Sequence, residues 1–350
     1  MRIGIVLHPY GEDAPAGLGR AIYEITRSLI ELDRENEYVV FLRHRPKTPP
    51  QFAGTNWRLK ISNERFFWLD WILRGERLDV CIFNTPIMPL VVRPKKSIVI
   101  TYDYAYFHFG RSLLTKFLHG LALGKADHIA AISEYTKKET IALFHLAPQK
   151  ISVIYLGFNN LCRHIAEKPP PMPGKFFLFV GVMKERKNLL GVVKAFAEFK
   201  RSVQSPHKLL VVGKGSGAYV ENIQSYIAEH DLGSEVVFVG RVSDGDLAHY
   251  YQHAEALVFP SFIEGFGFTV LEAFACGTPV ITSITSSLPE VAGDAALLVD
   301  PTDTGAITRA MKRLVEEPGL RQTLIEKSRL QLQKFSWENT AKHFLQLITQ

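Results

Sequence analysis

The sequence of 350 residues contains little cysteine and no long apolar run. Its three cysteines, Cys81, Cys162 and Cys276, are odd in number, widely spaced and set among apolar residues. This pattern predicts buried free thiols in a reducing compartment, with neither a disulfide nor a zinc site. No apolar stretch reaches the roughly 18 residues that a membrane-spanning helix needs, and Pro9 and Glu12 interrupt the N-terminus before a signal-peptide core could form. We therefore expect a cytoplasmic protein.

Long runs of like charge are also absent, since no lysine or arginine run exceeds two residues. The chain therefore has no basic tail of the kind that binds nucleic acid, and no nucleic-acid partner is expected. The net charge of +6 is nevertheless uneven: residues 1–165 carry 22 basic and 15 acidic side chains (+7), and the remainder carries 19 and 20 (−1). A basic half could meet anionic lipid headgroups, phosphorylated substrates or nucleic acid, or it is an ordinary soluble surface; of these partners, nucleic acid is the one not predicted.

Short apolar strands alternate with helical segments along the chain. Ile3–Leu7 and Glu37–Leu42 flank a helical pattern at 18–32. The alternation restarts at Phe176, after residues 167–175, whose four prolines predict an extended linker between two domains. Such alternation predicts doubly wound parallel sheets, and the chain length predicts two Rossmann-like domains facing across a cleft. Further strands are predicted at 78–83, 96–102, 126–133, 150–157, 207–213, 235–240, 256–260 and 278–283.

Two glutamates eight positions apart lie around a glycine-rich turn in residues 261–283, SFIEGFGFTVLEAFACGTPVITS. Paired carboxylates often act as general acid and base, but Glu264 falls in the turn and Glu272 on the following helix, so they do not share a helix face. The turn amides and the positive helix end predict a phosphate site, beside which Glu272 can bind a ribose diol and Glu264 more distant hydroxyls. These turn amides belong to Gly265, Phe266, Gly267 and Phe268. A nucleotide diphosphate sugar fits this description.

This segment, followed by LPEVAGDAALLVDP at 288–301, resembles the signature of glycosyltransferase family 4, whose members are retaining transferases of the GT-B fold. The resemblance implies an acceptor-binding domain at 1–165, a nucleotide-sugar-binding domain at 166–334 and a helix at 335–350 that returns to the first domain. Other segments resemble the family in the same order, over nearly the whole chain: GLGRAIYEI (17–25), ADHIAAISEYTKKE (126–139), KISVIYLGFN (150–159), FVGVMKERKNL (179–189), LLVVGKG (209–215) and VVFVGRVSDGDLAHYY (236–251).

The resemblance implies roles for residues outside the glutamate motif. Arg186 and Lys187 match the family's basic turn, where they would neutralise the diphosphate that leaves at the transition state. Gly181, before this turn, is assigned to the donor site with them. Gly17 and Gly19 match a glycine loop of the first domain that closes onto the donor phosphates.

The same resemblance assigns three further residues to the site. Val242 lies in VGRV, the segment whose backbone meets the base. Many relatives carry His-Asp where this chain has Tyr102 and Asp103, so the family histidine, which is usually placed near the reacting sugar, is replaced here by Tyr102. Tyr102 could still donate a hydrogen bond, and His108 or His8 could occupy neighbouring space or simply be packed.

Two other patterns leave structural and functional readings open. Asp244 and Asp246 have the D-x-D spacing of a metal site in a different class of glycosyltransferases, but before a helical segment they are expected to be N-terminal caps, and no metal is predicted. Residues 64–79, ERFFWLDWILRGERLD, read as a core helix, with a peripheral membrane contact as the alternative.

Taken together, the resemblance implies a retaining, metal-independent hexosyltransferase without a cofactor, with GDP-mannose favoured as donor and a UDP-sugar possible. Its acceptor would be a saccharide or lipid-linked saccharide in cell-surface polysaccharide or lipopolysaccharide synthesis. We expect a monomer, cytoplasmic or peripheral at the inner face of the membrane. Two alternatives stay open: a catalytically silent nucleotide-sugar binder, because of Tyr102, and a GT-B nucleotide-sugar epimerase.

Overall fold

The structure is a computed structural model that describes residues 1–11, 17–64, 66–108, 113–163 and 174–350. It contains two compact units, Met1–Gly157 with Phe335–Gln350, and Phe158–Lys334. The predicted boundary at 165/166 and residues 167–173 of the predicted linker lie outside the described residues. No helix of the described part is long and apolar enough to cross a bilayer.

The first unit is built on a seven-stranded parallel sheet. Its strands are β1 (Arg2–Val6), β2 (Glu37–Leu42), β3 (Trp57–Ile61), β4 (Val80–Phe83), β5 (Lys96–Thr101), β6 (His128–Ala131) and β7 (Ile151–Val153). Their order is β3-β2-β1-β4-β5-β6-β7. Its helices are α1 (Gly17–Leu32), α2 (Trp68–Leu73), α3 (Ala105–His108), α4 (Leu113–Lys125), α5 (Glu134–Phe144) and α13 (Trp337–Thr349). The inner strands are buried apolar runs, as a sheet covered on both faces requires.

The last helix of the chain completes the first unit. α13 packs against α1, and its apolar residues, among them Ala341 and Phe344, are buried. Two hydrogen bonds hold it in place: the Thr340 hydroxyl donates to the carbonyl of Tyr155, just after β7 (2.8 Å), and Lys96 Nζ of β5 donates to the Leu347 carbonyl (2.6 Å). Burial of this face stabilises the helix, because an isolated helix of this length is marginal in water.

The second unit contains a six-stranded parallel sheet. Its strands are β8 (Phe176–Val180), β9 (Lys208–Val212), β10 (Val236–Gly240), β11 (Ala256–Phe259), β12 (Val280–Ser283) and β13 (Leu297–Val299). Their order is β10-β9-β8-β11-β12-β13. Its helices are α6 (Leu189–Ser202), α7 (Ala218–Glu229), α8 (Asp244–His253), α9 (Phe268–Ala275), α10 (Leu288–Ala292), α11 (Thr304–Glu316) and α12 (Leu320–Leu332). The predicted fold class, doubly wound parallel sheets in two domains, is confirmed.

The prediction of three free thiols is wrong for two of the cysteines. Cys162 and Cys276 form a disulfide within the second unit, across a sequence separation of 114 residues. Spacing along the chain could not reveal this pair, because the fold brings the segment after residue 157 to the C-terminal end of α9. Cys81 on β4 is a buried free thiol, and burial raises its pKa.

Candidate active site

The candidate site of the second unit lies where the order of the strands reverses. β8 and β11 are neighbours, but the sheet continues from β8 through β9 and from β11 through β12. At such a switch point the connections leave in opposite directions and open a crevice at the carboxyl ends of the strands. The basic turn with Arg186 and Lys187 follows β8, and the turn with Glu264 follows β11, so both reach this crevice.

Both basic residues contact the glutamate of the turn. Lys187 Nζ lies 2.5 Å from Glu264 Oε1, and Arg186 Nη1 lies 3.4 Å from the same oxygen. The hydroxyl of Ser261 donates to it as well (2.7 Å). The backbone joins the two turns, since the amide of Phe262 donates to the Arg186 carbonyl (2.8 Å) and Arg186 Nη1 donates to the carbonyl of Ile263 (3.1 Å). The sequence-predicted residues thus form one hydrogen-bonded cluster with two cations and one anion.

Electrostatics keep Glu264 ionised. Burial alone would raise its pKa, but Lys187 and Arg186 outweigh burial and hold the pKa below its ordinary value. The side chains of Lys187 and Glu264 are only 13% and 11% exposed, so water screens their interaction weakly. Within the described residues every hydrogen bond to this carboxylate reaches Oε1, which leaves Oε2 as an acceptor for a ligand hydroxyl. The cluster keeps a net positive charge and suits an anion such as a diphosphate.

The ion pair should make stability depend on pH. Because the pKa of Glu264 is lower in the folded protein than in the unfolded chain, its contribution is complete above the ordinary value of 4.5 and is lost as the pH falls through the folded-state pKa. We expect the free energy of unfolding of Glu264→Gln to lie below that of the wild type at neutral pH, with the difference shrinking in acid. Urea unfolding at several pH values measures this. The control is Glu338→Gln, which removes an exposed pair with Lys342 and should change little. A difference for Glu264→Gln that does not vary with pH would contradict the assignment.

A set of hydroxyl side chains that the sequence analysis missed holds the glutamate turn. Ser287 donates to the carbonyls of Glu264 (2.8 Å) and Phe266 (2.6 Å), and the amide of Glu264 donates to Ser286 (3.1 Å). Ser283 donates to the carbonyl of Ser261 (2.5 Å). The available signal was the hydroxyl-rich run TSITSS at 282–287, which begins in β12 next to the site.

The two glycines of the turn differ in backbone conformation. Gly267 has φ +126° and precedes α9, where a side chain would meet Leu288 at 3.1 Å. Gly265 is not among the described residues with positive φ. Its predicted place in the phosphate loop is unaffected, because an amide can bind an anion without that conformation. Phe268 begins α9, and Glu272 lies one turn in and accepts from the Tyr251 hydroxyl (3.4 Å).

Three glycines at the ends of neighbouring strands form the wall beside the basic turn. Gly181 follows β8 with φ +151°, and its amide donates to the Val212 carbonyl (2.9 Å). Gly213 follows β9, and its amide donates to the Gly240 carbonyl (2.8 Å). Val242, predicted to meet the base, lies two residues beyond Gly240 at the same edge of the sheet.

The aspartates of SDGDL are not N-caps. Ser243 caps α8 and accepts from the amide of Asp246, and Asp244 and Asp246 occupy the first turn, where acidic side chains favour the positive helix end. Among the described residues, no group of three or more histidine, cysteine or acidic side chains could hold a metal ion.

The remaining predicted site residues belong to the first unit. Tyr102 follows β5 and donates to Asn84 Oδ1 (2.5 Å), whose amide nitrogen donates to the His8 carbonyl (2.9 Å). Asn84, which the sequence analysis missed, therefore ties together the connections after β1, β4 and β5. Burial raises the pKa of Tyr102, so its hydroxyl remains a neutral donor. Asp103 accepts from the amide of Ala105 (3.2 Å) at the start of α3.

Two details of the first unit correct the expectations. Gly17 and Gly19 lie in the first turn of α1, not in a loop before it, because the helix already begins at Gly17. His108 pairs with the buried Glu139. The structure thus places Gly17, Gly19, Tyr102 and Asp103 in one unit and the other predicted site residues in the second.

Comparisons with known proteins cover both units. Two family profiles match: "Glycosyltransferase Family 4" over residues 15–160 and "Glycosyl transferases group 1" over residues 163–331. The chain is 30% identical over 285 residues to the O-antigen chain mannosyltransferase B of Escherichia coli, covering 77% of this chain and 74% of the relative. It is 31% identical over 249 residues to the O-antigen chain mannosyltransferase RfbU of Salmonella typhimurium, covering 70% and 67%. Among solved structures, HepE of Anabaena in complex with UDP and glucose has a TM-score of 0.79 at 15% identity, covering 100% of this chain and 99% of that one. The two proteins are therefore alike in fold.

Proposed function

The chain belongs to glycosyltransferase family 4 and has its GT-B fold, and on this premise we propose that it transfers mannose from GDP-mannose to a saccharide or lipid-linked saccharide. The products would be cell-surface polysaccharide or lipopolysaccharide. The observation that carries the proposal is the cluster of Arg186, Lys187 and Glu264 at the β8/β11 switch point, beside the N-terminal end of α9.

Support for the donor comes from chemistry and from the relatives. Lys187 and Arg186 would bind the diphosphate together with the amides of the glutamate turn, and Glu272 would accept hydrogen bonds from the ribose. Val242 and its neighbours would line the base. Two relatives are named as mannosyltransferases, which favours mannose. The Anabaena protein of like fold was solved with UDP and glucose, so a UDP-sugar is the second choice.

The proposed reaction proceeds with retention at the anomeric carbon and without a metal. The bond from the anomeric carbon to the diphosphate breaks, a bond to the acceptor oxygen forms on the same face, and the departing phosphate oxygen takes the acceptor proton. The nucleoside diphosphate then leaves. Lys187, Arg186 and the turn amides stabilise the charge that develops on the phosphate, and Oε2 of Glu264 holds a hydroxyl of the sugar. Tyr102 and Asp103 of the first unit would position the acceptor.

A catalytically silent nucleotide-sugar binder is the second candidate, because Tyr102 stands where many relatives have a histidine. An epimerase is the third. Turnover separates the three: a transferase releases nucleoside diphosphate in step with acceptor glycosylation, a silent binder releases none, and an epimerase yields a changed free sugar without an acceptor.

We propose a monomer that meets the inner face of the membrane through the basic N-terminal unit.

Nucleotide-dependent thermal stabilisation tests the donor site. GDP, UDP, ADP and dTDP are compared on the wild type and on Glu272→Ala. A ligand at a hundred times its dissociation constant adds about 2.7 kcal/mol to the free energy of unfolding. We expect GDP to stabilise the wild type, Glu272→Ala to lose this response, and Glu229→Ala, an exposed change at the end of α7, to keep it. Absence of any nucleotide response in the wild type would count against the proposal.

A further inference from the structure

The first unit exposes an unusual amount of apolar surface within a short part of the chain. Of the eighteen large apolar side chains that are exposed in the described residues, eleven lie between residues 66 and 121. Scattered exposed apolar residues are ordinary, but a concentration of this kind marks an interaction surface. We define the apolar face by six of them, each between 46% and 84% exposed. They are Trp71 on α2, Leu90 and Val91 in the connection after β4, and Phe117, Leu118 and Leu121 on α4.

Contacts within the unit hold these three segments together. The carboxylate of Asp70 on α2 accepts from the amides of Leu90 (2.9 Å) and Val91 (2.6 Å), which fixes the connection after β4 next to Trp71. On the other side of that connection, a cavity of about 410 Å³ is lined by Leu90, Leu118 and Leu121. Phe117, Leu118 and Leu121 share one side of α4, because residues three and four apart are neighbours on a helix. The apolar face is therefore one continuous surface.

Basic side chains border this face. Between Asp79 and Asp127 the sequence contains six lysines and arginines and a single acidic residue, Asp103. The carboxylate of Asp70 on α2 is occupied by the amides of Leu90, Val91 and Val92. Lys125 lines the end of the cavity, and the Arg74 guanidinium lies 5.8 Å from the Trp71 ring. Aromatic and aliphatic side chains bordered by basic ones are the composition of surfaces that lie in the interface of an anionic bilayer.

We infer that the apolar face docks onto an anionic phospholipid monolayer, with its apolar side chains among the acyl chains and its basic side chains at the headgroups. This inference rests on the proposed function in one respect, since it names the membrane partner of that enzyme. A second copy of the chain fits less well, because a symmetric dimer through this face would bring the same basic residues together.

The surface also leads to the candidate acceptor residues. A second cavity, of about 340 Å³, shares Pro86, Ile87, Thr115 and His119 with the first and extends to Tyr102 and Asp103. Docking on the apolar face would therefore bring the headgroup of a lipid-linked saccharide to the carboxyl end of β5 without lifting the lipid out of the monolayer.

Vesicle sedimentation tests the inference. The probes are vesicles of phosphatidylcholine alone and of equal parts phosphatidylcholine and phosphatidylglycerol. We expect the wild type to bind the anionic vesicles, with binding weakened but not abolished at high salt, and the double variant Phe117→Gln/Leu121→Gln to bind about tenfold less or weaker still. Leu330→Gln changes a leucine on α12 of the second unit that is more exposed than Phe117 and Leu121, and this variant should bind like the wild type.

Two outcomes would overturn the inference: equal binding of the wild type and the double variant, or no vesicle binding together with a concentration-dependent dimer that the double variant abolishes. Neither measurement needs a sugar donor. Nucleotide stabilisation of the same preparations is measured in parallel. If the wild type fails to bind vesicles but responds to nucleotide, the docking surface alone is overturned. If the wild type binds vesicles but does not respond to nucleotide, the proposed donor chemistry alone is overturned.

Discussion

Replacing Lys187 with methionine should lower the rate constant for sugar transfer about 10²- to 10³-fold, the cost typical of removing one preorganised group that stabilises transition-state charge. Methionine keeps an unbranched apolar stem beside the Phe259 ring, over which the ammonium lies at 4.6 Å. The charge opposite Glu264 Oε1 is lost, and with it one of the two cations that we propose bind the diphosphate. Release of nucleoside diphosphate from the donor measures the effect, and the rate constant should fall more than the affinity for donor.

Two companion variants separate this catalytic effect from damage to the fold. Lys187→Met leaves Glu264 buried with Arg186 and Ser261, so some stability is lost as well. Adding Glu264→Gln removes the buried carboxylate that has lost its nearer cation, and it should recover part of the stability without recovering transfer. Lys194→Met is the matched control, since Lys194 also lies over an aromatic ring, that of Tyr226 at 5.6 Å, but on the exposed side of α6. Equal losses of rate in Lys187→Met and Lys194→Met would refute the role of Lys187.

The fold could be predicted from sequence wherever a strand is a buried apolar run. EYVVFL and FFLFV are such runs, and the structure has strands there. The pattern does not predict β3 or β13, because WRLKI mixes charged and apolar residues at the edge of its sheet and LLV is only three residues long. Pairing over a long separation was beyond any local pattern, which is why the disulfide between Cys162 and Cys276 was missed.

The candidate site was predictable in its composition but not in its contacts. The basic turn and the glutamate turn were each recognised, yet 77 residues separate Lys187 from Glu264, and only the parallel pairing of β8 with β11 shows that they touch. The serines that support the turn stand out in the sequence only as a hydroxyl-rich run, and such a run is ordinary in a connection. Asn84 was missed for the same reason, although it connects His8 and Tyr102.

The second large effect is a loss of stability expected for Gly213→Ala, a change at one of the three glycines beside the basic turn. Gly213 has φ +145°, and a side chain there would lie 1.9 Å from the carbonyl oxygen of Gly181, a backbone atom that cannot rotate away. Conformational strain alone costs about 1–3 kcal/mol, and the forced shift of the neighbouring backbone adds to it, so we expect about 3 kcal/mol or more of lost stability. Urea unfolding measures the loss.

Two other glycines of the same unit separate strain from collision. Gly240→Ala adds a side chain at φ +82° with no atom within 4 Å, so it should cost about 1 kcal/mol from backbone strain alone. Gly233→Ala meets no atom within 4 Å and is not among the described residues with positive φ, so it should be nearly neutral. If Gly213→Ala loses no more stability than Gly240→Ala, the close approach to Gly181 does not constrain the protein.

If Gly213→Ala loses more stability, the backbone of Gly181 must have moved, and Gly181 begins the segment that leads to Arg186 and Lys187. The folded fraction of Gly213→Ala should then respond less to nucleotide than Gly240→Ala, because the diphosphate site depends on where that backbone runs.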